Sequence, residues 1–147
     1  MTQEDKELIL KDLSARLPYR VKCSFRYSIK SKILREDNNF ELTPTLYDIF
    51  TCKREDEDYI KPYLRPMSSM TKEEKEEYDS KRKHICDEYN RYCFDTVESI
   101  DWLNAHHFDY RGLIEKGLAL EAPEGMYNHY DEEFNDGYRN WSPRDLT

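Results

Sequence analysis

The sequence predicts an α+β domain: a small, mostly antiparallel sheet covered by an N-terminal helix and by helices from the C-terminal half. Apolar residues recur at helical spacing near the start, the pattern changes to strict alternation from Tyr19, and helix-starting residues gather again after Thr71. Strands grouped ahead of the later helices favour α+β over a parallel α/β arrangement. The domain is expected over residues 1–125, with an acidic tail that carries aromatic residues over 126–147.

Thr2 can cap a first helix to about Arg16. Glu4 and Asp5 lie in its positive first turn, and Leu8, Ile9, Leu13 and Leu17 form one stripe. Pro18 ends it. Tyr19, Val21, Cys23, Phe25 and Tyr27 then alternate with Arg20, Lys22, Ser24 and Arg26, which describes a half-buried strand with a basic outer face. Ile29, Ile33 and Leu34 suit a second strand or a bulged extension, and Asp37, Asn38 and Asn39 read as a turn. The β-branched and aromatic residues of Thr45 to Lys53 predict a further strand. Glu55 to Asp58 reads as a solvated hairpin loop. Tyr59 to Leu64 then pairs back, with Pro62 confining that strand to an edge.

Arg65 to Met70 is a linker. Thr71 and Glu74 form a capping box, and the Glu- and Lys-rich run to about Cys93, with Tyr78, Ile85, Tyr89 and Tyr92 on one face, predicts a long, mostly solvated helix. Asp95 and Thr96 start another, in which Val97, Ile100, Leu103 and His107 recur at helical steps and Trp102 widens the stripe. Asp109 can cap a short helix from Tyr110 to Lys116, stopped by Gly117. Leu118 and Leu120 then form a short buried strand or plug before the turn at Ala122 to Gly125.

Two segments, KPYLRPMSSMT at Lys61–Thr71 and LNAHHFDYRGLIEKGLALEAPEGMY at Leu103–Tyr127, together resemble a set of small uncharacterised proteins of gut Bacteroides-type bacteria and their phages and mobile elements. The resemblance covers about a quarter of the chain. It implies a mobile-element setting and carries no assigned activity, cofactor or catalytic residue.

Hydrophobic residues make up 37% of the chain and charged residues equal them, yet an aromatic share of 14% argues against disorder. Tyrosine dominates that share with 12 residues, so a shallow core with amphipathic rims is expected. No apolar run reaches the length of a membrane span, and the first residues lack a secretory pattern, so a cytoplasmic location with no membrane partner is expected. Cys23, Cys52, Cys86 and Cys93 are separated by 29, 34 and 7 positions, which reads as reduced thiols in place of a disulfide framework. The net charge of -8 disfavours nonspecific binding to nucleic acid. Its distribution is uneven, however: Arg16 to Arg35 holds seven Lys or Arg and no acid, +7 against -15 for the remainder.

Four constellations could carry function. His106, His107, Asp109 and Arg111 are the cluster most like a catalytic one, since imidazole moves protons near neutral pH and a carboxylate can orient it. Adjacent helical residues diverge by about 100°, so packing or helix-end hydrogen bonding is the expected role. His84, Cys86 and Cys93, with Cys23 or Cys52, are zinc-type ligands. On a helix, though, His84 and Cys86 would point about 200° apart, so neither a metal nor a cofactor is expected. Arg20, Lys22, Arg26, Lys30, Lys32 and Arg35 could follow a phosphate backbone, against the reading of ordinary solvent-facing cations. Tyr130, Phe134, Tyr138 and Trp141, set among acids in the tail, could anchor a partner. The four glycines form no phosphate-binding loop, which argues against nucleotide hydrolysis of that kind. The expected function is that of a non-enzymatic cytosolic accessory protein, a protein-binding or inhibitor module, with the phage or mobile-element setting implied by the resemblance alone. Nucleic-acid binding through the basic strand comes second and a His-dependent enzyme third.

Overall fold

A computed structural model describes residues 2–30, 32–52 and 58–127. In chain order its helices and strands are α1 (Gln3–Arg16), β1 (Lys22–Ile29), β2 (Lys32–Glu41), α2 (Pro44–Cys52), β3 (Tyr59–Pro66), α3 (Lys72–Lys81), β4 (Lys83–Cys86), β5 (Arg91–Phe94), α4 (Val97–Ala105), β6 (Phe108–Asp109) and β7 (Leu120–Glu121). The main sheet runs β2-β1-β3-β6, with β7 also on β3. β1 is antiparallel to β2 and β3, and the two-residue strands β6 and β7 join in parallel. This is the expected α+β architecture with its N-terminal helix.

Helix α1 begins with a reciprocal pair: the Thr2 hydroxyl accepts the Asp5 N–H at 3.0 Å, and the Asp5 carboxylate accepts the Thr2 N–H at 3.2 Å. Ile9 and Leu13 are fully buried, with Leu8 and Leu17 packed at the margin of the same core. A 3-10 turn, Leu17–Tyr19, leads to Arg20, whose φ of 58° swings the chain into β1. Cys23 and Phe25 then point into the core, while Ser24, expected on the outer face, is buried as well. The turn expected at Asp37 to Asn39 is a β-bulge. Cys23 pairs with Phe40 and Phe25 with Asp37, so Asn38 and Asn39 together face Ser24. The local hydrogen bonds that make these residues turn-prone hold the bulge instead: Asn39 N–H to Asp37 Oδ1 at 3.1 Å and Ser24 Oγ to Asn38 Oδ1 at 3.0 Å.

The strand expected at Thr45 to Lys53 is helix α2 as far as Cys52. The Thr43 hydroxyl accepts the Leu46 N–H at 3.1 Å, and Pro44 opens the helix, where a missing N–H costs nothing. Leu42, Leu46 and Phe50, four residues apart, all enter the core, and this helical spacing outweighs the β propensity of the segment. β3 is not an edge strand either. β1 occupies Tyr59 to Pro62, and β7 and β6 begin at Tyr63 and Arg65, so Pro62, with no N–H to offer, falls where the partner changes. Of the expected loop at Glu55 to Asp58, Asp58 is buried and accepts the Ser28 hydroxyl at 2.7 Å instead of facing solvent. Residues 55–57 lie outside the described residues.

Helix α3 has the Thr71–Glu74 capping box but stops at Lys81, well short of Cys93. The residues beyond form the antiparallel hairpin β4–β5. Asp87 Oδ1 accepts the N–H groups of Tyr89 and Asn90 at 2.8 and 2.6 Å, and the Asp87 N–H meets the Asn90 carbonyl at 2.9 Å. This turn competes with continued helix, and the flanking His-Ile-Cys and Tyr-Cys-Phe runs favour strands. In α4 the cap is Thr96 with Ser99, and Trp102 and Leu103 are buried. Val97 is 80% exposed, so the apolar stripe starts one turn later than expected. The Asp109 carboxylate caps Leu113 and Ile114 N–H at 2.8 and 3.0 Å, but the residues it caps form turns, not a helix. Gly117, at φ 73°, closes them. The core has two lobes: one joins α1 and α2 to the sheet, and one gathers Met70, Trp102, Leu103 and Phe108.

Candidate functional site

The structure separates the cluster that looked catalytic. His107 is 1% exposed, adopts φ 64° and stacks on Tyr127 with ring centres 3.9 Å apart. Burial, reinforced by the nearby Arg16 and Arg65 cations, holds it well below the usual imidazole range. His106 turns to Trp102, 4.2 Å between ring centres. Burial lowers it too, against the opposing pull of Glu77 and Glu74. Asp109 is spent on the cap after β6. Arg111 donates to the buried Asp12 carboxylate at 2.9 Å and to the Tyr110 hydroxyl at 2.8 Å. Asp12 also receives Arg16 Nε at 2.9 Å, and Arg16 reaches on to the Phe108 carbonyl. Each of the four side chains is thus assigned to a different packing or capping contact.

The basic strand meets acids that its own segment lacks. Arg20 pairs with Glu41 at 2.8 Å, and β2 sets Glu41 opposite Lys22 and Glu36 opposite Arg26. At the far end of this hairpin, Lys30, Lys32 and Arg35 are exposed beside Ile29, Ile33 and Leu34, which are 45–53% exposed. Arg35 lies over the Phe40 ring at 4.6 Å. Of the six candidate cations, Arg20, Lys22 and Arg26 therefore face acids at the base, Arg35 meets Asp37 at 3.8 Å, and Lys30 and Lys32 are exposed at the tip. Tyr130, Phe134, Tyr138 and Trp141 lie outside the described residues.

The feature that sequence reading missed is the β4–β5 hairpin. Direct pairing places His84 opposite Cys93, Ile85 opposite Tyr92 and Lys83 opposite Phe94. Since side chains alternate across a strand, His84, Cys86, Arg91 and Cys93 share one face, and Lys83, Ile85, Tyr92 and Phe94 share the other. Ile85, Tyr92 and Phe94 are 42, 45 and 49% exposed, and the two rings stack with centres 6.1 Å apart. Where the hairpin leaves the body, Arg82 meets Asp95 at 3.3 Å and donates to the Cys93 carbonyl, Tyr78 donates to Asp95, and the Thr96 hydroxyl donates to the Lys81 carbonyl at 2.7 Å. Burial and the Asp95 carboxylate push the Tyr78 hydroxyl up to about 12, so it stays protonated and keeps donating. The alternation in KHIC and RYCF was the available signal. It was obscured because Tyr78, Ile85 and Tyr92 also fall seven residues apart, a helical repeat.

A separate hollow of about 390 Å³ is lined by Arg65, Thr71, Glu121, Glu124 and Tyr127 among others, with no histidine or cysteine. Arg65 is committed there to both Glu74 oxygens, at 2.7 and 2.8 Å, and lies over Phe108 at 4.2 Å. No helix among the described residues is long and apolar enough to cross a membrane. None of the known protein families, curated proteins or solved structures compared with the chain matches it.

Proposed function

We propose that this protein is a binding module that docks on another protein through the apolar face of the β4–β5 hairpin and catalyses no reaction of its own. The observation that carries the proposal is the half-exposed Ile85, Tyr92 and Phe94 set on one face of a ribbon anchored at its base. Stacked aromatics supply large contact area at low entropic cost, and their burial in a partner's apolar cleft would supply the main driving force. Lys83 at the rim gives such contact a charged border. The hydrogen bonds and ring contacts that occupy His106, His107, Asp109 and Arg111 support the absence of a reaction centre. Cys23, Cys86 and Cys93 are free, which agrees with a cytosolic setting, and the resemblance of two segments favours an accessory role in a phage or mobile element.

The test is affinity purification from the native host at low and moderate salt with nuclease, comparing the wild type with an Ile85→Ser/Tyr92→Ser/Phe94→Ser variant. A protein retained at moderate salt and lost with the triple variant, followed by direct binding of the two purified proteins, is the expected result. The same partner held equally by the variant refutes hairpin docking. A second reading rests on the exposed Lys30, Lys32 and Arg35 at the β1–β2 tip. It is favoured instead if the retained material is nuclease-sensitive and disappears on charge reversal of those residues.

A further inference from the structure

The opposite face of the same hairpin carries a different chemistry. His84 and Cys93 are direct cross-strand partners, with Cys93 Sγ 3.4 Å from His84 Nδ1. The other ring nitrogen, His84 Nε2, lies 2.8 Å from the Asp79 backbone carbonyl, an acceptor, so Nε2 carries the proton and Nδ1 presents its lone pair to the sulfur. The Asp79 side chain completes the group: one atom each from Asp79, His84 and Cys93 lie within 4.8 Å of one another. Three elements thus converge, with Asp79 from α3, His84 from β4 and Cys93 from β5.

We infer that Asp79, His84 and Cys93 form a binding site for a divalent zinc-type cation. With Zn–S near 2.3 Å and Zn–N near 2.0 Å, a tetrahedral angle puts sulfur and nitrogen about 3.5 Å apart. The observed 3.4 Å fits one edge of that tetrahedron before any movement. The carboxylate oxygen must close in by about 1 Å, which a side chain on the exposed face of a helix can do by rotation. Its present ionic contact, Arg82 at 3.9 Å, is long, and Arg82 keeps a nearer carboxylate in Asp95 at 3.3 Å. A thiolate and an imidazole in the donor set select zinc, cobalt or cadmium over magnesium and calcium, and water supplies the fourth position. Binding exchanges the Cys93 thiol proton for the metal ion, so uptake releases one proton to solvent. A bound cation would tie the hairpin to α3 and stiffen the ribbon. The site consists of these three side chains alone and does not depend on the opposite face meeting a partner.

The test uses the full chain, reduced and stripped with a chelator, titrated with Co²⁺ alone and then with Zn²⁺. Expected are one equivalent of Co²⁺ with a thiolate-to-cobalt charge-transfer band, and displacement of that band by Zn²⁺. Cys93→Ser abolishes the band, His84→Ala and Asp79→Asn each weaken binding by about tenfold or more, and Cys86→Ser leaves it intact. Far-ultraviolet circular dichroism checks that each variant keeps its fold. The absence of a charge-transfer band, which would leave only a thiol–imidazole hydrogen bond, overturns the inference. So does a band that persists in Cys93→Ser, or unchanged affinity in Asp79→Asn.

Discussion

Removing the Asp12 carboxylate is the sharpest way to ask whether Arg111 is a structural group. Asp12 and Arg16 are both 0% exposed and joined at 2.9 Å, and Arg111 meets the other carboxylate oxygen at 2.9 Å. Asp12→Ala leaves the Arg16 guanidinium buried beside the Phe108 carbonyl without its counter-ion and releases Arg111 from its acceptor. Breaking a buried pair from one side costs about 3–5 kcal/mol, a large share of the roughly 5–15 kcal/mol that holds a domain of this kind together. The expected fall in thermal midpoint is on the order of 10 °C. The double variant Asp12→Leu/Arg16→Met removes both charges and should recover a substantial part of the loss, because the single variant's cost is mainly that of a stranded charge. Urea and thermal denaturation followed by circular dichroism measure both quantities. A loss under about 1 kcal/mol in Asp12→Ala, or a double variant no better than the single one, would refute this assignment and reopen a chemical role for Arg111.

Two further expectations come from the buried side chains. In a Cys52→Ser background a thiol reagent should modify Cys86 and Cys93 rapidly in the native protein and Cys23 only on unfolding, since Cys23 is fully buried and burial pushes its thiol up to about 12; three equally fast thiols would show that β1 is not interior. His107 is held neutral below its ordinary 6.5, so its contribution is complete above that pH and declines as the pH falls, when the unfolded chain takes up a proton the native state refuses. The decline should approach about 1.4 kcal/mol per pH unit until the native-state value is reached. The urea midpoint between pH 7 and pH 5 should accordingly fall more steeply in wild type than in His107→Asn, and equal slopes would place the imidazole in water.

How far the sequence could be read depended on whether a signal was local or competed with another. The Thr2, Thr71 and Thr96 caps, the inward alternation of Cys23 and Phe25, and the left-handed Gly117 all follow from bonding or steric needs within a few residues, and the structure has each of them. The residue types of Thr45 to Lys53 favour a strand while the spacing of Leu46 and Phe50 suits a helix, and as far as Cys52 the spacing prevails. The run after Lys81 shows the opposite conflict: its helical repeat conceals a hairpin and the side chains that the hairpin pairs. A helix sends His84 and Cys93 along different directions, whereas a ribbon pairs them, so no reading of that run as helix could have brought in Asp79. The neutralisation of Arg20 by Glu41 is likewise a matter of strand register, which no tally of charges along the chain contains.

The hairpin also has a consequence for the scaffold. Lys83 and Phe94 are paired neighbours, so the twelve residues from Lys83 to Phe94 leave and re-enter the body at one place, and cross-links among Lys81, Arg82, Asp95 and Thr96 close the gap behind them. Seen from the core, the excursion is a module plugged into a socket. Substitutions at its turn, away from His84 and Cys93, leave that junction between α3 and α4 as it is. An excursion closed off in this way can be altered at its tip without disturbing the scaffold that presents it.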